Sequence, residues 1–137
     1  MTSRLNPYIS FSDDARQALE FYRGVFGGEM TLSTFGEAGA ADGPDADKVM
    51  HGQLETSAGY TLMVSDTPAG MERTVGNHIS ISISGDDADE LRGYFRRLSD
   101  GGAVTMSLEK QMWGDEFGMC VDPFGVAWMV NISQPAG

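Results

Sequence analysis

Two imidazoles, one thiol and a group of thioethers carry most of the chemistry this chain could offer. His51 lies in VMHGQLE and His78 in NHISISIS, and they are the only histidines. A three-histidine metal centre is therefore impossible within one chain. His78 is the candidate catalytic residue, as a general base or ligand whose ordinary pKa lies near neutrality. The plainer alternative is a hydrogen-bonded polar residue on a strand face. His51 shares an alternating face with Val49, Gln53 and Glu55. Cys120 has no basic neighbour in the sequence to lower its pKa, so a packing role is expected rather than a nucleophilic one. Nine methionines are many for this length. Met63, Met119 and Met129 fall on strand-like runs and suit a soft, adaptable pocket lining, or simply a filled core. Tyr8 shares a face with Asn6 and Ser10 and is expected to line a pocket with them, where it can stack on a planar ligand. Alternation places Met129 with Ala127 and Asn131 and sends Trp128 to the opposite, packed side. Trp113 precedes its strand and is either a lid or a surface residue. The GxSxG, GxxxxGK[ST], GxGxxG and HExxH patterns are all missing, which removes the commonest nucleophile, phosphate, dinucleotide and zinc-protease signals.

The elements that must position these residues repeat. LNPYISFSDDARQALEFYRGVFGGE and NHISISISGDDADELRGYFRRLSDGGA follow one plan. Each begins with strand-type alternation, passes through Asp-Asp-Ala, continues at helical spacing and stops at Gly-Gly. In HISISIS the period is two, with Ile79, Ile81 and Ile83 on one side and His78, Ser80 and Ser82 on the other. Ala88, Leu91, Phe95 and Leu98 form one apolar helical stripe, and Ala15, Ala18, Leu19, Tyr22 and Phe26 form another. Asp13 or Asp14 can cap the first helix and Asp86 or Asp87 the second. Strand-like runs follow at 30–35, 49–55 and 60–66, and again at 103–108, 117–121 and 126–132. Each half thus reads βαβββ, and the fold class is α+β. The segment 36–48 is rich in Gly, Ala and Asp without periodicity and is expected to be a mobile loop, while 67–76 joins the halves.

The chain of 137 residues suits one compact domain made of two halves, module 1 at about 4–68 and module 2 at about 75–133. Its formal charge is −11, with nine basic residues against twenty acidic ones. That balance argues against nucleic acid and anionic membranes as partners. No apolar run is long enough to span a membrane, and the N-terminal residues lack a basic region followed by an apolar core. With one cysteine an internal disulfide is impossible. A cytoplasmic location is the expectation.

The motifs LNPYISF, EFYRGVFGGE, VMHGQL, LMVSD and WGDEFGMCVDPFG, set in a duplicated βαβββ plan, resemble the vicinal oxygen chelate superfamily of glyoxalases, extradiol dioxygenases and bleomycin-resistance proteins. Within it the chain is similar to the PhnB-like branch, often labelled 3-demethylubiquinone methyltransferase-like. The resemblance implies curled, incompletely closed barrel-like sheets around a shared cavity, with helices outside, commonly in a homodimer. Metal-dependent relatives carry one ligand on the first and fourth strand of each module. Matched strand to strand, these positions fall near Asn6 (with Pro7 the other candidate), on Met63, on His78 and on Met129. Only His78 is a ligand of the expected type, because a thioether is a poor substitute for a carboxylate. The metal site is thus read as degenerate, with no cofactor expected and a divalent metal disfavoured. A small organic ligand bound by Tyr8, Ser10, His51, Met63, His78, Ser80, Trp113 and Met129 is the leading expectation. The alternative is a divalent-metal-dependent glyoxalase or dioxygenase-type enzyme (lyase, isomerase or oxidoreductase) that recruits Glu55, Asp115 or Glu116 beside His78. Methyltransferase chemistry is unlikely on this sequence, because SFSDDA runs straight into a helix without a Gly-rich cofactor turn.

Overall fold

A computed structural model describes residues 3–40 and 43–134. The chain divides into two compact units, residues 1–75 and 76–137.

The first unit contains β1 (Tyr8–Phe11), α1 (Ala15–Phe26), β2 (Glu29–Thr34), β3 (Val49–Glu55) and β4 (Thr61–Asp66). They form a four-stranded mixed sheet in the order β1-β4-β3-β2. The expected apolar stripe of α1 is buried: Ala15, Ala18, Leu19, Tyr22 and Phe26 are all at most 5% exposed. It covers Leu54, Leu62 and Val64 on one face of the sheet, and that burial supplies the hydrophobic stabilisation of the unit. Gly52 of β3 lets the helix approach, since a Cβ there would lie 2.8 Å from Val64 and 3.1 Å from Leu19 side-chain carbons.

The start of α1 differs from expectation. Asp14 occupies the N-cap position but its side chain makes no capping bond. The carboxylate of Asp66, at the end of β4, accepts from the Ala15 amide at 2.9 Å and from the Val49 amide at 2.8 Å. Asp66 is 5% exposed, so its charge is compensated by bonds to two buried amides rather than by water. One acidic residue thereby ties together the start of α1, the start of β3 and the end of β4.

The second unit contains β5 (Ile81–Gly85), α2 (Ala88–Ser99), β6 (Ala103–Lys110), β7 (Glu116–Val121) and β8 (Ala127–Ile132), in the sheet order β5-β8-β7-β6. Leu91, Phe95 and Leu98 are buried as the helical spacing requires. Asp87 caps α2, accepting from the Glu90 amide at 3.1 Å. Here the cap is local. The register shows why the halves differ: Phe11 faces Asp66 in the first sheet, and Gly85 faces Ile132 in the second. An isoleucine cannot accept a helix N–H, so the second helix needs its own Asp.

One expectation of local structure changes. β5 begins at Ile81, not His78, and Ile79 is 74% exposed. Ile81 pairs with Trp128 near the start of β8, and before Ala127 the chain enters the Asp122–Gly125 turn. By that register Ser80 stands opposite Ala127, the first residue of β8, and residues ahead of Ser80 have no parallel neighbour in β8 to complete a ladder. At the two ends of the segment 36–48, Phe35 and Gly36 donate to the Lys48 and Ala46 carbonyls.

The Gly-Gly stops have a shared physical cause. A Cβ on Gly28 would come within 2.0 Å of the Glu55 carbonyl oxygen, and one on Gly102 within 2.0 Å of the Val121 carbonyl oxygen. Each second glycine thus lies against the end of the third strand of its own unit.

Candidate functional site

In each unit one sheet face is covered by the helix and the other is not. Along β3, Gly52 and Leu54 are buried under the helix, while His51 and Gln53 are partly accessible on the other side. The cross-strand register places Gln53 opposite Met63, and Met63 opposite Tyr8. Thr31 of β2 stands opposite Gln53. This face of the first unit therefore carries the row Thr31–Gln53–Met63–Tyr8, flanked by His51 and Ser10.

Two polar groups on this face are joined. The Tyr8 hydroxyl lies 3.0 Å from His51 Nδ1, and the ring centroids are 5.6 Å apart. One group donates and the other accepts, according to the imidazole tautomer. Tyr8 is 51% exposed, so the pair is accessible to a ligand. A second cluster surrounds Glu55. Its carboxylate accepts from Thr61 Oγ1 at 2.8 Å and Gln53 Nε2 at 2.5 Å, with Arg4 at 3.8 Å. The Thr61 and Gln53 hydrogen bonds, and then the Arg4 charge, hold the Glu55 carboxyl below its ordinary value.

The second unit presents the matching row with different chemistry. Ser82 faces Met129, Met129 faces Met119, and Met119 faces Met106. Where the first unit has Tyr8 and Gln53, the second has Ser82 and Met119. Phe117, opposite Asn131, takes the place that His51 holds in the first unit. Trp113 is 60% exposed and packs edge-on to Phe117 at 6.2 Å between centroids. Asn131 Nδ2 donates to Asp115 at 3.1 Å, which ties the preceding turn to this face. The first unit's open face is hydrogen-bonding in character, and the second unit's is thioether and aromatic.

His78 lies outside these rows. It sits in an exposed bend ahead of β5, four residues before Ser82, the residue that faces Met129. By the same register Asn6, two residues before Tyr8, corresponds to Ser80. Ser80 is half-buried just ahead of the strand. Glu116 turns away from the open face and pairs with Arg92 of α2, at 3.0 Å to Nε and 2.5 Å to Nη2. Trp128 is 1% exposed on the helix side, and its indole N–H donates to Asp122 at 2.9 Å. Asp122 also accepts from the amides of Phe124 and Val126, which sets the DPFG turn.

The donor chemistry bears on a metal. Met63 stands between a glutamine and a tyrosine, and Met129 between a methionine and a serine. Among the described residues, no group of three or more His, Cys, Asp or Glu side chains is assembled to hold an ion. A thioether is a poor ligand for a hard or borderline divalent ion.

Residues 4–130 match the model of the glyoxalase/bleomycin resistance protein/dioxygenase superfamily. The chain belongs to that superfamily. It is 32% identical to an uncharacterized protein of Mycobacterium bovis over 142 aligned residues, spanning 96% of this chain and 82% of the relative. Among solved structures, protein PA1353 of Pseudomonas aeruginosa superimposes with a TM-score of 0.83 at 34% identity, covering 98% of this chain and 100% of that one. A PhnB protein of Bacillus cereus gives a TM-score of 0.75 at 22% identity, covering 96% and 100%. That likeness shows the fold. The two units build one strand order, as the duplicated plan in the sequence predicts. No helix among the described residues is long and apolar enough to cross a membrane.

Proposed function

We propose that the chain binds a small organic molecule without a divalent metal, using the open sheet face of its first unit with the Tyr8–His51 pair as the principal polar anchor. One observation carries this reading: a methionine occupies the middle of the first unit's registered row, with an exposed phenol hydrogen-bonded to a partly accessible imidazole beside it. Met63 offers polarizable apolar contact that adapts to ligand shape. Tyr8 and His51 offer one donor and one acceptor to orient a polar group, with Ser10 alongside. Superfamily membership supports a homodimer, which light scattering of the purified protein tests.

Chelator-dialysed protein screened by thermal shift against small aromatic and carbonyl compounds tests the reading. A ligand at about 100 times its Kd adds about 2.7 kcal/mol of apparent stability. Tyr8→Phe and His51→Ala are each expected to weaken binding about tenfold, the usual effect of losing one hydrogen bond to a ligand. Stabilisation that appears only after zinc, nickel or iron is restored would overturn metal-independent binding and support the metal-dependent enzyme instead.

A further inference from the structure

The first unit also contains a cleft of about 270 Å³ lined by Ser12, Lys48, Thr67, Met71 and Arg73. Two of the chain's nine basic residues therefore meet in one concavity, in a protein of net charge −11. Both side chains are tethered by uncharged groups. Arg73 donates from Nη1 to the Ser10 carbonyl at 3.1 Å and from Nη2 to Ser12 Oγ at 3.0 Å. Lys48 donates to the Thr67 carbonyl at 3.0 Å.

The charges differ in how far they are already compensated. Asp45 lies 3.3 Å from Lys48 Nζ and also accepts from the Ala69 amide at 2.9 Å, so it shapes the 67–73 segment and partly neutralises the lysine. Arg73 forms no carboxylate pair among the described residues, although twenty acidic residues are available in the chain. A guanidinium has five N–H donors and two are used here, so donors remain for an incoming group. The overall negative charge does not forbid an anion at this spot, because salt screens distant charges over roughly 8 Å at physiological ionic strength.

We propose that this cleft binds a small anion, a carboxylate or a phosphate monoester, with Arg73 as its main anchor and Lys48 and the Ser12 hydroxyl in support. Planar, two-pronged donation to an oxyanion is the chemistry a fixed guanidinium performs best. The volume admits the anionic group together with a short organic stem, and Met71 supplies an apolar wall for that stem.

The test is a titration of the full ¹⁵N-labelled chain at low salt with inorganic phosphate, phenyl phosphate and benzoate, followed by amide chemical shifts. Saturable shifts centred on Ala69, Gly70 and Arg73 are expected with at least one probe. Response to both phosphates but not to benzoate assigns a phosphate ester, and the reverse assigns a carboxylate. Arg73→Gln is expected to weaken binding about tenfold or more, the usual loss for one charge-assisted contact. Lys48→Gln is expected to weaken it less and serves as the second variant if Arg73→Gln does not fold. Flat titrations with all three probes, shifts scattered over the surface without saturation, or shifts unchanged in the variants would each overturn the proposal.

Discussion

Tyr8 and His51 meet although 43 residues separate them, and that meeting explains what could and could not be read from the sequence. Alternation alone places Tyr8 with Ser10, and His51 with Gln53 and Glu55. It does not say that β1 lies parallel to β4, or that β4 separates β1 from β3. Only the register brings phenol and imidazole within hydrogen-bond distance, and only the register shows Ser82 rather than His78 opposite Met129. Trp128 was legible because its alternation with Met129 and Ala127 sends it to the packed side, where it is buried. Its bond to Asp122 was not legible. Replacing Trp128 by Phe removes a donor from a buried carboxylate, and a loss of about 1–3 kcal/mol in urea unfolding is expected. Cys120 gives a chemical test at this scale. Burial first, and the neighbouring Asp122 charge second, push its thiol up to about 11. Native protein is therefore expected to be inert to a disulfide thiol reagent at neutral pH, while denatured protein reacts fully with one equivalent. Rapid labelling of the native chain would contradict this placement.

Both helices were legible from their apolar stripes and both Gly-Gly stops from composition, because these signals are local. What holds the first helix at its start was not local. Asp66 comes from a strand that follows α1 by a long stretch of chain, and no capping rule based on neighbouring residues can find it. Asp66→Asn keeps one acceptor oxygen but turns an amide toward the Ala15 or Val49 N–H. A destabilisation of about 1–3 kcal/mol is expected, measured by chemical denaturation, against a much smaller effect for Asp14→Asn, whose side chain caps nothing. The second helix offers a pH test. The hydrogen bonds from Arg92, aided by its charge, hold the Glu116 carboxyl below its ordinary value of 4.5. The folded protein then binds fewer protons than the unfolded chain in acid. Stability from this contact is present above 4.5 and lost as pH falls through the lower folded value. Arg92→Gln is expected to flatten that part of the melting-temperature profile on acidification. An unchanged slope would show that the pair does not act in solution.

The whole molecule repeats its architecture while changing its chemistry. Each unit builds the same strand order and covers one sheet face with one helix, yet the paired positions exchange Tyr8 for Ser82, Gln53 for Met119 and His51 for Phe117. Such divergence is possible because side chains on the open faces are not required for either core, which is made by buried residues such as Leu19 and Leu98. Leu19→Ala and Leu98→Ala are each expected to cost about 2–5 kcal/mol by calorimetry, whereas Met119→Gln and Ser82→Tyr are expected to leave folding nearly intact. The close approach of Gly28 and Gly102 to carbonyl oxygens runs the other way. In a saturation library sorted only for intact protein, these two columns are expected to come back blank, even for alanine. The duplication would then be visible as a pair of matching gaps in a survival map, with the open-face positions freely varied.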